Sequence, residues 1–303
     1  MQVLDHVDLD AIRALHERGE FFWLDLDSPS DADLDALGAL LEIPDLAIQD
    51  TKEFEQRPKL DDYGARVLIV FYGAHGTDLV EVHVHVSGKE VVTIRRAPCA
   101  HLWEARERAA AAKVRTEQDL VYRVLDALAT SLRTLTDRYA AEVERLEEIA
   151  FERPKPADRR RMSQLRSDLF RLQQIVMPQR EMLARGGDLI EDLPGLERDI
   201  ARHPFSDVHD DLVVTANEID YLRELLSEAV NVLINQMAGR LTIVATIFLP
   251  LTFATGFFGM NFGWLVRHID SAESFLILGV GGMILPLIAV AVLLVRSGYL
   301  ERR

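Results

Sequence analysis

Two stretches near the C-terminal end of this 303-residue chain carry no ionisable side chain: residues 241–260, twenty in all, and residues 275–295, twenty-one. Each reaches the roughly 20 residues an α-helix needs to cross a hydrocarbon core. They lie behind a long charged region, so they read as two transmembrane helices and not as targeting segments. The N-terminus, MQVLDHVDLD, is acidic and lacks the basic and apolar regions of a signal peptide.

Basic residues flank the outer ends of the pair. Arg240 precedes the first span, and Arg296, Arg302 and Arg303 follow the second. The connecting residues 261–274 hold only Arg267 against Asp270 and Glu273. This asymmetry predicts cytoplasmic termini and a short outer loop in a cell (inner or plasma) membrane. The formal net charge is −15. Removing the five basic and three acidic residues from 235 onward leaves 29 basic against 46 acidic on residues 1–234, or −17. Such a domain repels nucleic acid and anionic lipid and attracts cations, although solubility alone accounts for the same charge. The single Cys, Cys99, rules out an internal disulfide.

Both spans contain proline. Pro250 and Pro286 each leave without a donor the carbonyl four residues earlier, at Thr246 and Gly282. In a bilayer that carbonyl needs another partner or water. Pro286 sits among Leu, Ile and Val and reads as a kink. Pro250 is accompanied by Thr246, Thr252 and Thr255, so a kink and a helix face on an aqueous path are both open there.

The soluble part opens with mixed elements. Residues 21–26 read as a strand, followed by a turn at Ser28–Pro29 and a helix from about Ser30. Residues 66–72 form an apolar run typical of a buried strand. The stretch DLVEVHVHVSGKEVVTIRR alternates with period two around a turn at Ser87–Gly88, which predicts a hairpin. Strands stop at Pro98. Residues 116–151 then read as one long helix, with Leu120, Val124, Leu128, Leu132, Leu135, Tyr139, Val143 and Leu146 at coiled-coil-like spacing. RPKP at 153–156 breaks it. A second helix is expected over 157–185, ended by Gly186–Gly187. A third is expected from Pro204 without a stop into the first span, about 55 residues or roughly 80 Å. A helix that long needs partners, and two spans cannot enclose a pore. The inference is a homo-oligomer of cyclic symmetry with the long helix innermost. The expected class is α+β, with a cytosolic α/β domain over 1–115, a long-helix stalk over 116–240 and a transmembrane domain over 241–303.

Other groupings have plain explanations. His83, His85 and Glu81 share one strand face, where zinc is conceivable but the polar side of a half-buried hairpin is the simpler reading. The pairs Asp25/Asp27, Asp61/Asp62 and Asp210/Asp211, and the cluster Glu142, Glu144, Glu147 and Glu148, read as caps and solvated faces. His268 in the outer loop is weighed in the same way. No Walker-type loop, nucleophile elbow, HExxH or CxxC is present, which argues against an enzyme.

The tripeptide Gly259-Met260-Asn261 stands at the outer end of the first span. Together with TIVATIFLPLTFATGFFGMN, QRPK at 56–59, FFWLDLDSP, LAIQDTKEFEQRPKLDDY and VVTIRR, it resembles the CorA family of divalent-cation transporters over nearly the whole chain. The resemblance implies a homopentamer with a funnel-shaped cytosolic part in a lipid bilayer. Its implied cargo is Mg2+, with Co2+ or Ni2+ as secondary ions. Gly259, Met260 and Asn261 match the selectivity ring. Asn235, Leu241, Ala245, Leu249, Thr252 and Gly256 match pore-facing positions, and Asp50 and Asp207 match an acidic pair that binds regulatory Mg2+ across a subunit boundary. The chain departs from the pattern in its outer loop, in Ala238 at a gate position, in Asn231 at a commonly acidic one, and in a stretch from Asp207 to Asn235 short by about two turns. LINQMAGRLTI and GFFGMN are also similar to the zinc-transporting branch. The readings carried forward are a Mg2+ channel gated by cytosolic Mg2+, a zinc transporter, and a membrane-anchored oligomeric sensor.

Overall fold

The structure is a computed structural model that describes residues 1–112, 114, 116–152, 154–191, 204–260, 263–268 and 271–296. It divides into two compact units, Met1–Ala229 and Val230–Arg303.

The first unit is built on a six-stranded mixed sheet. Its strands are β1 (Gln2–Leu4), β2 (Phe22–Asp27), β3 (Lys59–Asp62), β4 (Val67–His75), β5 (Asp78–Val86) and β6 (Glu90–Arg95), in the order β1-β2-β6-β5-β4-β3. The expected hairpin is present as antiparallel β5 and β6, with Val86 opposite Val91. β6 also pairs in parallel with β2, Phe22 opposite Glu90. Three short helices follow the chain around the first strands: α1 (Leu9–Arg18), α2 (Asp31–Leu40) and α3 (Asp45–Lys52). Ser30 caps α2 in a reciprocal box with Asp33. Gly19 closes α1 at φ 66°, a conformation glycine adopts without steric cost. Ile12, Leu15, Leu34 and Leu37 from these helices pack with Phe22, Leu24, Leu26, Val92 and Ile94 in one buried cluster.

Helices α4 (Ala100–Ala112), α5 (Glu117–Phe151), α6 (Pro156–Glu191) and α7 (Pro204–Phe258) follow. Each of the eight apolar positions predicted for α5 is buried. Contact between α5 and β4 is close: a Cβ on Gly73 would lie 2.7 Å from Leu128 Cδ2 and 2.8 Å from Ser131 Oγ. β3 pairs only with Val67–Val70 of β4, and beyond it the N–H groups of Tyr72 and Ala74 have no partner from β3. Gln179 Oε1 of α6 accepts from Tyr72 at 2.6 Å, and Ser131 Oγ of α5 accepts from Ala74 at 2.7 Å. Side chains of two helices thus close the edge a longer strand would otherwise cover.

Gly186–Gly187 does not end α6, which continues to Glu191. A Cβ at Gly186 would approach Leu60 Cδ1 to 3.2 Å, so that glycine answers a close approach to β3 and not a helix stop. α7 begins at Pro204 and runs 55 residues without a break, as predicted.

The second unit holds the C-terminal part of α7, then α8 (Gly263–His268), α9 (Ala272–Ser274), a π-helical stretch (Phe275–Val280) and α10 (Gly281–Arg296). α8 places a short helix in what reads from sequence as a loop. α7 and the segment Ala272–Leu293 are long and apolar enough to cross a membrane.

Candidate ion pathway and regulatory residues

On α7, Ala254 is buried and Ile243, Ile247 and Pro250 are half-buried. At 3.6 residues per turn these four fall on one line along the helix. Leu241, Ala245, Leu249, Thr252 and Gly256 fall on the opposite side, and all five are exposed, Leu249 at 74 %. Asn235 is exposed as well and lies roughly a quarter turn from that stripe on a straight helix. The single chain therefore packs only one narrow line of the first span and leaves the rest of its surface bare, including the stripe that the family resemblance marks for a pathway.

The polar groups of this segment are largely satisfied along the helix itself. Thr242 Oγ1 donates to Ala238 O at 2.9 Å, Thr246 Oγ1 to Thr242 O at 2.7 Å, and Thr252 Oγ1 to Phe248 O at 2.9 Å. Thr255 Oγ1 lies 3.0 Å from the carbonyls of both Leu251 and Thr252. This back-bonding is how hydroxyls are kept within an apolar helix. Gly256 is open, with nothing within 4 Å of a Cβ placed there. Gly259 N donates to Thr255 O at 2.9 Å and Met260 N to Phe257 O at 3.3 Å, so the helix tightens at its end. A Cβ on Gly259 would sit 3.0 Å from Thr255 O, which explains the absence of a side chain. Asn261, the third residue of the tripeptide, lies outside the described residues.

Asp50 sits in the last turn of α3. Its Oδ2 accepts from Lys59 Nζ at 2.6 Å and from Tyr63 OH at 3.3 Å. Gln56 of the QRPK segment holds the Asp50 carbonyl through its amide at 2.5 Å. Asp207, in the first turn of α7, is exposed and has no ion pair among the described residues. It faces a carboxylate-rich neighbourhood: burial of Asp126, with Asp211 and Asp207 near it, raises the Asp126 pKa. Within one chain Asp50 and Asp207 share no hydrogen bond or ion pair. Among the described residues, one oxygen of Asp50 and both of Asp207 have no protein donor.

The histidines of β5 are buried and not half-exposed, because helices cover that face of the sheet. His83 Nε2 bonds Glu81 Oε1 at 2.8 Å, and His85 Nε2 bonds Thr51 Oγ1 at 2.8 Å. Burial, with Arg66 and His83 nearby, lowers the His85 pKa well below its ordinary value. Among the described residues no three His, Cys, Asp or Glu side chains are arranged to hold a metal ion. The sequence pattern also left unseen two buried charge pairs. Arg95 bonds Asp25, and Arg66 Nη2 lies 2.6 Å from Glu90 Oε1. An arginine in an otherwise apolar strand, as in VVTIRR, is the signal for the first.

Comparison with known proteins defines the class. Residues 18–296 match the family model of the CorA-like Mg2+ transporter protein. The chain belongs to this family of divalent-cation transporters. It is 30 % identical over 260 residues to the putative metal ion transporter YfjQ of Bacillus subtilis, covering 81 % of this chain and 80 % of that one. It is 26 % identical over 281 residues to the cobalt/magnesium transport protein CorA of Thermotoga maritima, covering 85 % and 78 %. The zinc transport protein ZntB of Yersinia enterocolitica is 25 % identical over 232 residues, covering 71 % and 69 %. In fold, the complete CorA magnesium transporter of Methanocaldococcus jannaschii superposes with a TM-score of 0.67 at 19 % identity, over 92 % of this chain and 91 % of that one. The mixed sheet, long helices and two apolar C-terminal helices are thus the architecture of a full-length CorA protein.

Proposed function

We propose that the chain is a Mg2+ channel, with Co2+ and Ni2+ as secondary cargo, built as a homopentamer with both termini in the cytoplasm. One observation carries this reading: the bare stripe Leu241, Ala245, Leu249, Thr252 and Gly256 lies opposite the packed face of α7 and leads to Gly259, Met260 and Asn261. Five such stripes around an axis line a path. A ring of Asn261 amides offers neutral carbonyl oxygens to the waters Mg2+ retains, where carboxylates would bind too tightly for release. Leu249 forms an apolar belt that closes by dewetting, with Leu241 as a second constriction and Asn235 as a polar ring below. The divisions 1–115, 116–240 and 241–303 then correspond to sensing domain, stalk and pore.

Cytosolic Mg2+ held between Asp50 of one subunit and Asp207 of the next keeps the assembly closed. When it leaves, the carboxylates repel and the stalk loosens. Influx follows the inside-negative potential, worth roughly 4.6 kcal/mol per 100 mV for a divalent ion. A second reading, zinc transport, rests on the ZntB relatives.

Purified protein in vesicles, offered Mg2+, Co2+ and Zn2+ with and without a pH gradient, tests the cargo. Mg2+ uptake indifferent to the gradient is expected, whereas proton-dependent Zn2+ uptake alone overturns the proposal. Asn261→Ala is expected to abolish uptake while the oligomer persists. Unchanged uptake in that variant removes the selectivity ring, whereas no uptake by the native protein leaves a membrane-anchored sensor as the better reading.

A further inference from the structure

A cleft of about 680 Å3 opens on the first unit, between the segment after α3 and the middle of α6. That size suits a small organic ligand. Arg57, Arg96 and Arg171 line it, and none of the three is ion-paired with a carboxylate among the described residues. This is unusual in a region where acidic residues outnumber basic ones 46 to 29.

The carboxylate at the cleft floor is not ion-paired with them. Glu81 accepts from the backbone N–H of Glu55 at 2.6 Å, from Gln56 N at 3.3 Å, from Tyr72 OH at 2.9 Å and from His83 Nε2 at 2.8 Å. Its charge is met from inside the fold. Glu55 is the one other carboxylate on the lining, so three cations face a single unpaired anion.

Arg96 is held in place. Its guanidinium lies 4.4 Å over the Phe54 ring, which in turn stacks on His83 at 4.6 Å, and Nη2 donates to Lys52 O at 2.9 Å. A fixed guanidinium plane is both a phosphate fork and a stacking surface. Across the lining, Phe170 on α6 is 50 % exposed, with the Arg223 guanidinium 5.9 Å from its ring centroid on one side. Gln174, one turn further on, adds an amide that both donates and accepts.

Three arginines for phosphate, a half-exposed aromatic ring and an amide on one cleft match a nucleotide better than a simple anion. We propose that this cleft binds a nucleoside polyphosphate, with Arg57, Arg96 and Arg171 on the phosphates and Phe170 against the base. Binding is read with no cation gradient, so its outcome does not depend on the proposed ion conduction.

Full-length protein in nanodiscs is titrated by calorimetry with ATP, tripolyphosphate and adenosine, in EDTA and again with Mg2+. Saturable ATP binding is expected, weakened at least tenfold in Arg96→Gln and Arg171→Gln. Phe170→Ala is expected to weaken ATP but leave tripolyphosphate unchanged. All three side chains are solvent-exposed, and an unaltered thermal transition verifies that each variant folds. No saturable ATP binding, or ATP binding indifferent to the arginine substitutions, overturns the site. Tripolyphosphate binding as tightly as ATP overturns the nucleotide assignment.

Discussion

Lys59 Nζ lies 2.6 Å from Asp50 Oδ2 and 2.7 Å from Asp61 Oδ2, so the carboxylate proposed for regulatory Mg2+ already has a resident ammonium. Burial lowers the Lys59 pKa, but the hydrogen bonds to Asp50 and Asp61 outweigh it and the net shift is upward. Lys59 is thus charged at physiological pH and competes with any cation for Asp50. Replacing it with Met removes a partly exposed pair worth about 1 kcal/mol. The internal Mg2+ concentration that half-inhibits uptake should fall about fivefold in Lys59→Met. Asp50→Ala combined with Asp207→Ala should instead abolish the inhibition; vesicle uptake at graded internal Mg2+ measures both.

Glu117 opens α5 with one oxygen accepting from Ser87 N at 3.1 Å and the other buried without a donor. Burial is the main reason its pKa is pushed up to about 7; the N–H groups of Gly88 and Ser87 oppose the rise and Glu90 adds to it. The folded value lies above the ordinary 4.5. Between these values the folded chain holds a proton the unfolded chain has lost, so stability falls as pH rises through that window. The full loss, reached above about pH 7, is on the order of 3 kcal/mol. Glu117→Gln should flatten this slope in denaturant titrations from pH 5 to 8. An unchanged slope assigns the titration to another group.

Gly73 offers a packing test. Its Cβ would meet both the side chain and, at 3.4 Å, the backbone of Leu128, so rotamer changes alone cannot make room. Gly73→Ala should cost about 1–3 kcal/mol by pushing α5 from β4. The midpoint of urea unfolding should drop with little change in its slope.

The elements that were legible are those with strong periodicity. The α5 stripe, the β5–β6 turn and the unbroken α7 follow from apolar spacing, because burial of one face dictates them. Pairing of β6 with β2 was not legible, since period two says which face is buried and not which strand lies alongside. Gly186 misled for a physical reason: a missing Cβ signals a helix stop and a close approach equally, and Leu60 is far away in sequence. His83 and His85 looked half-solvated because a single strand does not reveal the helices over it. The Lys59–Asp50 pair was not legible, since the two residues sit on different elements.

Leu249 tests the dry belt. Leu249→Asn keeps the size of the side chain while giving water a partner. Uptake at high internal Mg2+, where the proposed gating closes the native protein, should rise several-fold. A variant as tight as the native protein would place the constriction elsewhere on α7.

Thr252 gives its only hydroxyl proton to the Phe248 carbonyl, and what remains on its oxygen is two lone pairs that can only accept. On the proposed path, five such oxygens welcome water whose hydrogens point at the wall. Water around a cation is oriented in that way, and water around an anion is oriented in reverse. A neutral hydroxyl whose proton is turned inward thus sorts ions by the sign of their charge, with no formal charge on the wall.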